Sequence, residues 1–128
     1  MDEWVPFQEG EYVVERAFLL AHDESAVLLE DAVISVFLNP REQRQLNGSG
    51  RVRNLLLVKM LDDWDEIDLF LDLGGEFKYL LRDPILKGGK VFSANVRSVL
   101  HFAPRSPWTQ IRQEEFKALL SRLKFLSD

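Results

Sequence analysis

The chain has 128 residues, 46% hydrophobic and 29% charged, with a formal net charge of −5 and no cysteine. That is the size of one domain around one core, and it excludes a disulfide framework, a thiolate nucleophile and any Cys-ligated metal. The charge is split along the chain: residues 1–76 hold six Lys/Arg against seventeen Asp/Glu, a net of −11, and residues 77–128 hold ten against four, a net of +6.

Residues 1–10 read as an N-terminal arm in which Trp4, Val5 and Phe7 sit among acids and dock on the core. The acidic start differs from the basic opening of an export signal, so an intracellular, cytoplasmic setting is the expectation. Tyr12 to Ala21 and Val27 to Leu38 are apolar on both faces, which leaves strand and helix unresolved by periodicity. Val33, Ile34 and Val36 favour strand in the second segment, and residues 11–21 stay open. The longest apolar stretch, Ala26 to Leu38, carries Glu30 and Asp31 at its middle and does not suit a bilayer span.

Asn39-Pro40-Arg41-Glu42 has the pattern of a helix start, with a cap, a proline at the first position and an acid three residues after the cap. It predicts a short helix near residues 40–46, ended by Asn47-Gly48-Ser49-Gly50. Arg51 to Leu61 is read as a strand, and Asp62-Asp63-Trp64-Asp65 as a turn. From Glu66 to Leu73, Ile67, Leu69, Leu71 and Leu73 alternate with Glu66, Asp68 and Asp72; Phe70 is the one exception. Gly74-Gly75 marks a hairpin. A three-residue loop, Gly74-Gly75-Glu76, sets Leu73 opposite Phe77, Leu71 opposite Tyr79 and Leu69 opposite Leu81, while Asp72 meets Lys78 and Asp68 meets Arg82. A two-residue loop would set every apolar residue against a polar one, so the longer loop is expected.

Asp83-Pro84 breaks the strand, and Lys87-Gly88-Gly89-Lys90 is a second turn. Val91 to Ala103 is a long strand with Leu100 and Phe102 on one face and Ser93, Asn95, Arg97 and His101 on the other. Trp108 to Ile111 is an extended lead-in. Phe116, Leu119, Leu120, Leu123 and Leu126 then form the stripe of an amphipathic helix over 113–126. Glu114 and Glu115 lie in its first turn and Arg122 and Lys124 in its last, matching the helix dipole. The fold class is α+β: an antiparallel sheet of six to seven strands, a meander from residue 51 on, covered by the C-terminal helix, all in a single domain spanning 1–128. This outline is similar to pleckstrin-homology-like rolls, and its ββββα portion is similar to the single-strand-binding folds of the Whirly type. The resemblance implies architecture and carries no functional residue with it.

No catalytic set emerges. The carboxylates Asp62, Asp63, Asp65, Glu66, Asp68 and Asp72 do not converge in an alternating strand, and the calcium-loop spacing fails. Asp65 or Asp68 followed by Glu76-Phe77-Lys78 resembles the D…E-x-K arrangement of a nuclease superfamily, which would use the carboxylates to hold Mg²⁺; the expected hairpin register puts Glu76 in the loop and Lys78 on Asp72. Gly88-Gly89-Lys90 lacks the Ser or Thr of a phosphate loop, and His22 and His101 have no second histidine at ligand spacing. No metal or cofactor is expected.

The remaining constellation is basic. Lys87, Lys90, Asn95, Arg97, His101 and Arg105 share one face or its rim, with Trp108 near enough to stack. Such a stretch either holds an anionic partner or pairs with the acidic half of its own fold. The leading expectation is a non-enzymatic interaction module, an adaptor or assembly subunit, offering that face to an acidic protein partner. Single-stranded nucleic acid on the same face is the alternative, and a metal-dependent nuclease is the third reading. No membrane partner is expected; an exposed strand edge offers a route to a homo-oligomer.

Overall fold

The longest strand, Ser25–Leu38, bends in its middle, and the other elements arrange themselves around that bend. The structure, a computed structural model, describes residues 8–63, 65–88, 97–105 and 109–126. In chain order the elements are β1 (Gly10–Val13), β2 (Arg16–Leu20), β3 (Ser25–Leu38), β4 (Arg44–Arg53), α1 (Asn54–Asp63), β5 (Asp68–Asp72), β6 (Lys78–Leu81), β7 (Ile85–Gly88), β8 (Arg97–Ala103), β9 (Thr109–Gln110), α2 (Gln113–Arg122) and β10 (Lys124–Phe125). The α+β class with an antiparallel sheet is as expected, but the described residues form ten strands, not six or seven. The order is β7-β8-β4-β3-β2-β5-β6-β9, with β1 and β10 also paired to β3. Among the described residues no helix is long and apolar enough to cross a membrane.

A register shift between Glu30 and Val33, with Asp31 at φ 52°, kinks β3. Such a bulge bends a strand and increases its twist. The C-terminal half of β3 pairs with β1 and β4 and, through β4, continues to β8 and β7; this is the front sheet. Its N-terminal half pairs with β2, which continues to β5, β6 and β9; this is the rear sheet. The main core includes Leu19, Leu29, Ile34, Leu69, Leu71 and Phe102, and takes Leu56, Leu57 and Met60 from α1.

A second cluster lies on the other side of the rear sheet, where α2 packs Phe116 with Leu119, Leu120 and Leu123 onto Phe18, Ala26, Phe70 and Leu80. The Phe70 ring is stacked between Phe18, at a centroid distance of 5.0 Å, and Phe116, at 4.9 Å. That sandwich explains the one break in the alternation of β5: its polar face is not solvated but buried under a helix. Asp68, Asp72 and Lys78 are buried with it.

The β5–β6 hairpin has the expected register. Leu69 faces Leu81, Leu71 faces Tyr79 and Asp72 faces Lys78. Leu73 N–H donates to the Phe77 carbonyl at 2.9 Å, and Phe77 N–H to the Gly74 carbonyl at 3.0 Å. Lys78 Nζ lies 3.4 Å from Asp72 Oδ1 and donates to the Gly75 carbonyl oxygen, while Gly74 N–H donates to Asp72 at 2.9 Å. Asp68 accepts from Asp83 N–H at 3.0 Å and meets Arg82 at 3.5 Å.

Other expectations are corrected. Residues 40–46 are not helical. Asn39 Oδ1 accepts from the N–H groups of Arg41 and Gln43, each at 2.9 Å, and Glu42 has φ 59°. The side chain that could cap a helix closes the β3–β4 turn instead. Gly48 and Gly50 do not end a segment but lie inside β4. A Cβ on Gly48 would stand 2.3 Å from Phe102 Cζ and 2.7 Å from the Val33 carbonyl oxygen, and one on Gly50 2.5 Å from Leu29 Cγ. These glycines make room for core side chains crossing from neighbouring strands.

The strand expected over Arg51 to Leu61 ends at Arg53 and continues as α1, whose Leu56, Leu57 and Met60 are buried at helical spacing. The meander expected from residue 51 is interrupted at Asp83-Pro84: after β6 the chain leaves the rear sheet and enters the front sheet as β7. The C-terminal helix stops at Arg122, four residues short of the expected end, because Lys124–Phe125 pairs parallel with Ser25 and Ala26 of β3. Residues 11–21 contribute to two strands, β1 and β2. In the expected extended lead-in to α2, Thr109–Gln110 forms β9 against β6. The expectations for Trp4, Val5 and Phe7 and for residues 91–96 lie outside the described residues.

Two stability outcomes follow. Gly48→Ala is expected to lower the unfolding free energy by about 1–3 kcal/mol, the usual cost of overpacking a core, as read by urea denaturation. Asp72→Ala leaves Lys78 buried without its carboxylate and is expected to cost about 3–5 kcal/mol, whereas a combined Asp72→Leu, Lys78→Met variant recovers most of that loss.

Candidate interaction face

Along β8, Leu100 and Phe102 point into the core, so Arg97, Val99 and His101 point out. The pairing extends that outward set across the front sheet. His101 faces Ser49 on β4 and Lys87 on β7; Val99 faces Arg51; Arg97 faces Arg53. Val33 on β3 faces Ser49 on one side and Val13 of β1 on the other. One row therefore runs Val13, Val33, Ser49, His101, Lys87 across five strands.

Three of the sequence-predicted residues, Lys87, Arg97 and His101, thus do share a face. Arg105 lies just past the end of β8 and turns to the β6–β7 crossing, where its Nε donates to the Asp83 carbonyl oxygen at 2.9 Å and lies 3.7 Å from the Asp83 carboxylate. Lys90, Asn95 and Trp108 lie outside the described residues.

The face carries an apolar component that the charge pattern did not suggest. Val13 is 78% exposed and Val99 49%, and Val33, Phe37 and Ile85 are exposed beside them. The available signal was Val99 itself, an apolar side chain between Arg97 and His101 on a face otherwise read as polar.

The cations of the basic half meet acids of the first half at several points. Arg97 Nε lies 2.9 Å from the Glu30 carboxylate, Arg122 Nε 2.7 Å from that of Glu24, Arg82 3.5 Å from that of Asp68, and Lys78 3.4 Å from that of Asp72. Within the acidic half, Arg51 lies 3.9 Å from Asp31. The charge split is therefore partly neutralised inside the fold. The exposed pairs among them, Arg97 with Glu30 and Arg122 with Glu24, are worth about 0–1 kcal/mol each, so their partners exchange at little cost.

The D…E-x-K residues are not brought together. Lys78 is buried against Asp72 with its Nζ 5.2 Å from the Phe116 ring centroid, Glu76 is exposed in the loop, and Asp68 is engaged by Arg82 and Asp83 N–H at the far end of β5 from Asp72. Among the described residues no three His, Asp or Glu side chains are grouped to hold a metal ion. His22 lies 3.9 Å from Glu66, while His101 is on the front face. Compared with known proteins, the chain matches no family model, no curated protein and no solved structure.

Proposed function

We propose that this chain is a non-enzymatic interaction module that docks a protein partner across the outward face of the front sheet. The observation that carries this reading is the exposure of Val13, Val33, Val99, Phe37 and Ile85 on one face whose reverse side is core. Exposed apolar side chains gathered in one patch and rimmed by polar groups mark interaction surfaces. Lys87, His101, Arg51 and Arg97 are interspersed with them and favour a partner that carries acidic side chains beside its apolar contacts. Such a partner would take over the guanidinium groups from Glu30 and Asp31.

The same carboxylates disfavour a phosphate backbone. Glu30 and Asp31 stand among the arginines, and Glu11 lies at the rim through its pairing with Ser35. Nucleic-acid sites are more uniformly positive.

The test is affinity capture followed by reconstitution with the purified partner. Val99→Asp is expected to weaken that complex about tenfold or more, equivalent to about 1.4 kcal/mol, with an unchanged melting temperature because Val99 is solvent-exposed. Binding of labelled single-stranded DNA or RNA that falls steeply with salt and is lost in Arg97→Glu would replace this reading with the nucleic-acid one. A dimer in sedimentation that Val99→Asp dissociates would replace it with self-association.

A further inference from the structure

The C-terminal strand is held differently from the elements on either side of it. β10 is two residues long and, among the described residues, pairs with β3 alone. Lys124 N–H donates to the Glu24 carbonyl oxygen and Leu126 N–H to that of Ala26, each at 2.8 Å. Arg122 lies 2.7 Å from the Glu24 carboxylate in a solvent-exposed pair. Phe125 sets its ring edge-on to Phe18 at a centroid distance of 5.6 Å but stays 46% exposed. Leu126 packs on the main core and is itself only partly buried. Few buried contacts and exposed backbone hydrogen bonds distinguish the segments of a protein that open locally.

The structure beneath this strand is held by other contacts. The start of β3 is paired on its other edge with β2, Ala26 facing Leu20 and Val27 facing Leu19. The turn before it is closed by Ala21 N–H on the Ser25 carbonyl oxygen and by Ser25 N–H on Asp23 Oδ1, each at 2.9 Å. α2 is anchored by Phe116, stacked on Phe70, and by Leu119, Leu120 and Leu123. At Leu123 the N–H still donates to the Leu119 carbonyl oxygen, while a ψ of 141° turns the chain out of the helix. We propose that residues 124–126 form a latch that opens at Leu123 while both sheets and α2 stay folded, with Arg122 and Glu24 as its clasp. Opening frees the Glu24 and Ala26 carbonyl groups and takes Phe125 and Leu126 out of the wall of a cleft that they share with Leu28 and Leu56. The latch thereby covers the first residues of β3, a strand edge that is open to pairing once bared.

The experiment is amide hydrogen exchange of the full chain, followed by NMR under conditions where the rate reports the opening equilibrium. After correction for intrinsic rates, the Lys124 and Leu126 amides are expected to exchange at least about tenfold faster than those of Leu119 and Leu120 in α2, and at least about a hundredfold faster than that of Phe70 in the rear sheet. Glu24→Arg sets two guanidinium groups against each other and is expected to speed the latch amides by about threefold or more, and the double variant Glu24→Arg, Arg122→Glu to bring them back. Phe70 keeps its protection in both variants. Latch amides that exchange in step with Leu119 and Leu120, or with Phe70, would mean that the strand leaves only with the helix or with the whole fold, and would overturn the proposal. Latch rates in Glu24→Arg equal to those of the unaltered chain would also overturn it, because the clasp would then hold nothing.

Discussion

Asp31 sits in the left-handed region of backbone space in the middle of a fourteen-residue strand, and most of the architecture depends on that local kink. A residue with a side chain adopts such a φ at some cost, and aspartate tolerates it better than most. In return one strand serves two sheets. Its first half holds β2 and the rear sheet, and its second half holds β1, β4 and the front sheet. The front face exists because the C-terminal half of β3 diverges from the rear sheet that α2 covers.

The division of charge along the chain is answered in part within the molecule. Glu24, Glu30, Asp68 and Asp72 from the acidic half meet Arg122, Arg97, Arg82 and Lys78 from the basic half. These pairs differ in kind. Asp72 with Lys78 is buried beneath Phe116 and fixes a hairpin, whereas Arg97 with Glu30 is exposed and leaves its guanidinium available to another carboxylate. The first kind is architectural, and the second keeps a surface close to neutral until a competitor arrives.

How much of this was legible depended on how many constraints acted on each segment. The β5–β6 hairpin could be read to the residue, because its two faces and its loop had to agree on one register. Phe70 was visible as an anomaly, but its explanation needed Phe116, far downstream in the chain. Residues 54–63 misled because Leu55, Leu56, Leu57 and Val58 are apolar without interruption and carry no period. Gly48 and Gly50 misled for the opposite reason: glycine suggests a turn locally, while their role is set by Phe102 and Leu29 on other strands. Asn39 offered a genuine cap, and the hairpin used the same hydrogen-bonding capacity differently. Alternation along β8 placed Arg97 and His101 on one face, but Lys87, read as part of a turn, joins them only through the pairing of β7 with β8, and the valines among them only become a surface once five strands lie side by side.

The return of β10 to β3 has a consequence for the order in which the molecule assembles. Glu24 and Arg122 are separated by 98 residues in sequence, and Lys124 N–H closes on the Glu24 carbonyl. Contacts that distant form late and slow the search for the native state. During synthesis, the first 53 residues of the chain can fold back on themselves as β1 to β4, yet the start of β3 stays half-clothed until almost everything downstream has emerged. A quality-control factor that surveys nascent chains would therefore meet an unprotected strand edge at Ser25 and Ala26 for most of translation.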